Sequence, residues 1–167
     1  MAATEAREVA RRYEPSGDRP LGGYVAVVGV YGALTGASAL AVRALGRKLP
    51  ERLDASDIAL LAVATHKVSR LLTKDPVTSP FRAPLTAYEG QAGPAEVRER
   101  PRRSGVLHAV GELVTCPFCV GQWVATAMVG GLLVAPRLTR VVAAGMTVVA
   151  AADALNLAYD AAQQRAG

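Results

Sequence analysis

The chain has 167 residues, 51% of them hydrophobic but only 5% aromatic, and 19 Lys/Arg against 14 Asp/Glu give a net charge of +5. Two cysteines three positions apart exclude a secreted disulfide scaffold, which needs more cysteines at wider spacings. Charge is gathered into blocks that leave residues 21–42 and 113–136 with none, so the basic excess reads as loops between apolar spans, and no nucleic-acid partner is expected.

Residues 1–20 are polar and contain Glu5, Glu8, Glu14 and Asp18, unlike the short basic start of a signal peptide. With Pro15, Gly17 and Pro20 they read as a mobile tail carrying a helical turn or two over Thr4–Tyr13. The first span is expected at Leu21–Val42, roughly 33 Å long as a helix, against a hydrocarbon core of ~30 Å. Gly32-x-x-x-Gly36 within it matches the small-x-x-x-small pattern, read first as packing inside the molecule and second as homodimerisation.

A second helix is expected over Asp57–Thr73, with Asp54 or Ser56 at its N-cap. Leu60, Leu61, Ala64, Val68, Leu71 and Leu72 share one face, while His66, Ser69, Arg70 and Thr73 share the other. Such a helix either lies in the membrane interface or crosses with Lys67 and Arg70 snorkelling, and the buried or spanning reading is preferred. Residues 74–112 read as a long polar connector, because five prolines forbid a continuous helix. Its run Arg98–Arg103 reads as a solvated loop, with contact to anionic lipid as the functional alternative. Gly105–Leu113 has the spacing of a short interfacial helix.

The third span is expected at 113–136 and the fourth at 138–159, joined by a tight Pro136-Arg137 turn into a transmembrane hairpin, with a short polar tail after Asp160. The fold class is therefore all-α: a small integral membrane bundle of about four main helices filling 21–160, with a C-terminal hairpin. Connector 74–112 is richer in Lys and Arg than the 136–140 turn, which places the connector in the cytoplasm. Arg used in preference to Lys, beside abundant Ala, suggests a GC-rich bacterial genome, and the expected location is the bacterial cytoplasmic membrane, crossed several times.

Three stretches, Ala64–Pro84, Gly111–Ala125 and Ala151–Tyr159, together resemble the domain of unknown function 1360 family of small bacterial membrane proteins. The most specific part is Cys116-Pro117-Phe118-Cys119 ahead of a Trp-containing span. The resemblance implies a membrane location and a compact helical unit. It supplies no established activity and no catalytic residue.

Two constellations could carry chemistry. Cys116 and Cys119 have the spacing of a glutaredoxin-type dithiol, and a helix capped by Thr115 would favour thiolate at Cys116. No β-α-β pattern surrounds them, however. As half of a tetrahedral zinc site they would need His66, His108 or a second copy. The plainer account is packing of two small side chains where a helix enters the membrane. The second constellation is Asp153, an acid inside an apolar span, with His66, Lys67 and Arg70 at the same depth. A structural pair with Arg70 is the leading account and Lys67 the fallback, while Asp153 and His66 together would make a proton or ion relay. No cofactor is expected. The expected partners are membrane lipid and either a second copy or another membrane protein. The expected role is a structural or interaction component rather than an enzyme.

Overall fold

A computed structural model describes residues 2–13, 19–47 and 49–166. Glu14, Pro15, Gly17 and Asp18, named above in the N-terminal tail, lie outside the described residues. The elements are α1 (Ala2–Tyr13), α2 (Leu21–Ala44), α3 (Ala55–Lys74), a 3-10 turn (Pro76–Thr78), α4 (Ser79–Arg82), β1 (Thr86–Gly93), β2 (Glu96–Pro101), α5 (Gly105–Thr115), α6 (Pro117–Val134) and α7 (Pro136–Ala166). The chain is mostly helical, with a minor two-stranded sheet. Helices α2, α6 and α7 are each long and apolar enough to cross a membrane. Contacts divide the chain into two compact units: Met1–Thr35 with Thr73–Cys116, and Gly36–Leu72 with Pro117–Gly167.

The first unit holds the largest departures from the sequence reading. The connector is not a structureless loop. Prolines bar a helix through it, but β1 and β2 pair antiparallel from Thr86↔Pro101 to Gly93↔Glu96. Pro94-Ala95 closes the hairpin with Ala95 at φ +56°, left-handed backbone that usually falls to glycine. The charge run alternates with the strand period: Val97, Glu99 and Pro101 turn inward while Arg98 and Arg100 turn to solvent. Helix α5 lies on the hairpin at Gly111, where a Cβ would sit 3.0 Å from the Pro101 Cβ and 3.3 Å from the Leu85 carbonyl oxygen.

Also in this unit, α5 closes on the first turn of α2. A Cβ on Gly23 would lie 2.9 Å from the Gly105 carbonyl oxygen and 3.0 Å from the Ala109 Cβ, so only glycine permits that approach. By contrast, Gly29, Gly32 and Gly36 have nothing within 4 Å of where a Cβ would be. The close packing expected at Gly32-x-x-x-Gly36 is therefore not made at either glycine among the described residues.

The second unit packs α3, α6 and α7 around Leu61, Ala64, Leu132 and Ala143, flanked by Leu53, Leu60, Met128 and Met146. Helices α6 and α7 are joined by Ala135 alone. Pro136 is the first residue of α7, where its missing N–H costs no hydrogen bond. The turn is tight enough that a Cβ on Gly131 would meet the Thr139 hydroxyl at 2.7 Å, and that hydroxyl donates to the Ala135 carbonyl at 3.0 Å. Arg47, just past α2, reaches the Val134 carbonyl at 3.4 Å, so α2 ends where α6 ends.

Three boundaries move. The expected third span from Leu113 is two helices broken at Cys116, whose φ −107° and ψ +107° are extended. Pro117 forces this, because a residue before proline is driven out of the α region. Helix α7 runs on to Ala166, so the expected polar tail is helical, as its Ala, Gln and Arg content favours. Helix α1 covers the whole of Ala2–Tyr13 rather than a turn or two.

Candidate functional site

In the second unit, α3 and α7 are linked by three polar rungs. At the turn end Arg140 grips Asp57 with two bonds, Nε to Oδ1 at 2.8 Å and Nη2 to Oδ2 at 2.7 Å. The Thr147 hydroxyl then donates to the Leu60 carbonyl at 3.3 Å. At the far end Lys67 Nζ lies 2.5 Å from Asp153 Oδ2. Residue numbers rise along both helices from rung to rung, so α3 and α7 run parallel. A paired, hydrogen-bonded charge is the form in which ionised groups are tolerated at membrane depth.

The cation at Asp153 is thus Lys67 and not Arg70, which the sequence reading had put first. Counted from the Asp57–Arg140 rung, Lys67 stands about 15 Å along α3 and Asp153 about 20 Å along α7, a difference within the length of a lysine stem. The Lys67 side chain is 16% exposed and that of Asp153 is 48% exposed. His66, one position and about 100° round the helix from Lys67, is exposed. Ser69 returns its hydroxyl to the Thr65 carbonyl at 2.6 Å, and a Cβ on Gly121 would lie 3.5 Å from that hydroxyl.

Cys116 and Cys119, the chain's two cysteines, are disulfide-bonded. Cys116 occupies the break between α5 and α6, Pro117 opens α6, and Cys119 and Phe118 are exposed. Thr115 is not the cap expected of it: its hydroxyl turns back to the Gly111 and Glu112 carbonyls at 2.9 and 3.2 Å. Sulfurs bonded to each other are not metal ligands, and among the described residues no group of three or more His, Cys, Asp or Glu could hold an ion. His108, considered as a ligand, instead places Nδ1 3.0 Å from the Arg103 carbonyl and Nε2 3.6 Å from the Glu112 carboxylate. The Tyr24 hydroxyl donates to the other Glu112 oxygen.

The sequence reading missed Arg82. Its side chain is 2% exposed and its Nε lies 2.6 Å from Glu99, itself 5% exposed. The other guanidinium nitrogens donate to the Thr78 and Ser79 hydroxyls and to the Asp75 carbonyl. Asp75 in turn accepts from the Val77 N–H at 2.9 Å, capping the 3-10 turn. Arg82 so ties the Asp75–Ser79 segment to β2 with every donor group engaged, which is what a buried guanidinium requires. The signal was present in Val97-x-Glu99-x-Pro101, an inward alternation that puts an acid on the buried face of a strand.

Family comparison matches residues 60–159 to the model described as Protein of unknown function (DUF1360). Among curated proteins and among solved structures nothing matches. The matched stretch takes in the Lys67–Asp153 rung, the Arg82 cluster and the cysteine pair, and more than half of the chain; the protein belongs to the DUF1360 family.

Proposed function

We propose that the chain is a four-span protein of the bacterial cytoplasmic membrane, with both termini inside, acting as a structural or interaction component rather than as an enzyme. The observation that carries this is the parallel α3–α7 ladder. If α7 crosses the bilayer from Pro136, a helix held beside it from Asp57–Arg140 to Lys67–Asp153 crosses with it. On this reading α3 is a fourth span, its Asp57 and Lys67 each paired with a charge on α7. Its own length, about 30 Å, suffices. Arg82, Arg98, Arg100, Arg102 and Arg103 with the tail arginines then outweigh Arg43, Arg47, Lys48, Arg52, Arg137 and Arg140 on the opposite side, which favours the connector inside.

The open face at Gly29, Gly32 and Gly36 is where a second copy or another membrane helix would pack closely. Alkaline carbonate should leave the protein in the membrane fraction, with detergent needed for release. Release by carbonate alone contradicts the reading. Crosslinking in membranes should give a discrete adduct that Gly32→Leu with Gly36→Leu removes, and an adduct unaffected by that pair would exclude this face.

One observation favours a second reading, a membrane thiol protein. The Cys116–Cys119 bond sits at the start of a span with Cys119 exposed. Facing a reducing cytoplasm, such a bond persists only as a redox-active pair. Dithiothreitol would open it in a two-electron, two-proton exchange that leaves two thiols and the oxidised cyclic reagent. Opening at a potential near that of cellular glutathione favours this role, and resistance to millimolar reagent leaves a structural bond.

A further inference from the structure

We propose that the start of α5, with the basic strip Arg98–Arg103 before it, is a docking surface for anionic lipid headgroups of the bilayer that holds α2. The proposal rests on the membrane reading and adds to it a lipid class and the residues that select it.

Depth comes first. Helix α2 is a candidate span, and its first turn carries Gly23 and Tyr24. If α2 spans from Leu21, that turn stands at the headgroup boundary. Helix α5 is packed on this turn: Gly105, Val106 and Ala109 crowd Gly23, and Tyr24 donates to Glu112. The start of α5 therefore lies at headgroup depth.

Apolar exposure comes second. Val106 and Leu107 are 50% and 49% exposed on that same turn of α5. At this depth the surface that covers them is the acyl–headgroup boundary, as for an amphipathic interfacial helix.

Charge comes third. Arg98, Arg100, Arg102 and Arg103 are all exposed. Arg100 pairs with Glu89 at 3.2 Å, whereas Arg98, Arg102 and Arg103 make no ion pair among the described residues. The nearby acids are engaged, Glu99 by Arg82 and Glu112 by Tyr24 and His108. A cation near an anionic leaflet is worth roughly fivefold in partitioning, so three act together for roughly a hundredfold. Arg102 and Arg103 immediately precede the exposed Val106-Leu107 pair, so charge and apolar contact meet one leaflet together.

The test uses the full chain reconstituted in phosphatidylcholine vesicles with and without phosphatidylglycerol. The reporter is Leu107→Trp in a Trp123→Phe background, read by brominated-lipid quenching. Quenching should be strong with phosphatidylglycerol, and should weaken severalfold with added salt or on Arg98→Gln, Arg102→Gln and Arg103→Gln together. Hydrogen exchange of residues 105–110 in the unsubstituted chain should slow in the same vesicles, which guards against a misfolded reporter. Carbonate-resistant incorporation with quenching and exchange identical in both vesicles overturns the lipid surface alone. Failure to incorporate overturns it together with the membrane reading. Binding of a short RNA that those three substitutions abolish, with no effect of vesicle composition, also overturns it.

Discussion

At the scale of single residues, the fold is held by charges that are each given a partner. Lys67 and Asp153 are only partly buried, so removing one partner should cost less than the ~3–5 kcal/mol of breaking a fully buried pair. Lys67→Met and Asp153→Asn should each destabilise by about 1–2 kcal/mol in detergent, with the double substitution losing less than the sum. Strict additivity, measured by thermal unfolding, would reject the pairing. Arg82 and Glu99 are the opposite case. Arg82→Met strands Glu99 inside the first unit and should cost about 3–5 kcal/mol, read as early proteolysis or fast hydrogen exchange across 75–101. Glu99→Gln should cost less, because Arg82 keeps the Thr78, Ser79 and Asp75 acceptors. Native-like protection in Arg82→Met would remove Arg82 from its organising role.

At the scale of elements, glycine marks where helices touch and where they do not. Gly131→Ala would press a Cβ to 2.7 Å from the Thr139 hydroxyl and should cost about 1–3 kcal/mol by overpacking. Gly130→Ala has open space and should be neutral or slightly stabilising. Equal thermal midpoints for the two would contradict the tight α6–α7 turn. In the hairpin, Ala95→Gly should stabilise by roughly 0.5–1 kcal/mol by relieving left-handed alanine backbone. A loss of hairpin protection in that variant would contradict it.

These elements also show what the sequence could say. Apolar runs announced α2, α6 and α7, because lipid demands some 20 apolar residues whatever the fold. The break at Cys116 left no change in hydropathy and was written only in Pro117. The hairpin was masked by its glycines and by a charge run whose alternation is easily taken for solvation. Of the candidate site, Asp153 stood out because an acid in an apolar run is costly. Its partner Lys67 was named only as the fallback to Arg70, three residues on along α3, because periodicity carries no register between helices. Asp57–Arg140 lay at helix ends, where charge is ordinary and signals nothing.

At the scale of the whole molecule, the central claim is that α3 crosses the membrane beside α7, which makes four spans. The direct test is side-specific labelling of single cysteines with a membrane-impermeant maleimide in intact cells, in a Cys116→Ser, Cys119→Ser background. Glu51→Cys, in the α2–α3 loop, and Arg137→Cys, in the α6–α7 turn, should both label from outside. Ala92→Cys, in the hairpin, should label only after permeabilisation. If Glu51→Cys and Arg137→Cys label from opposite sides, α3 lies along the interface, the spans number three, and the account is wrong.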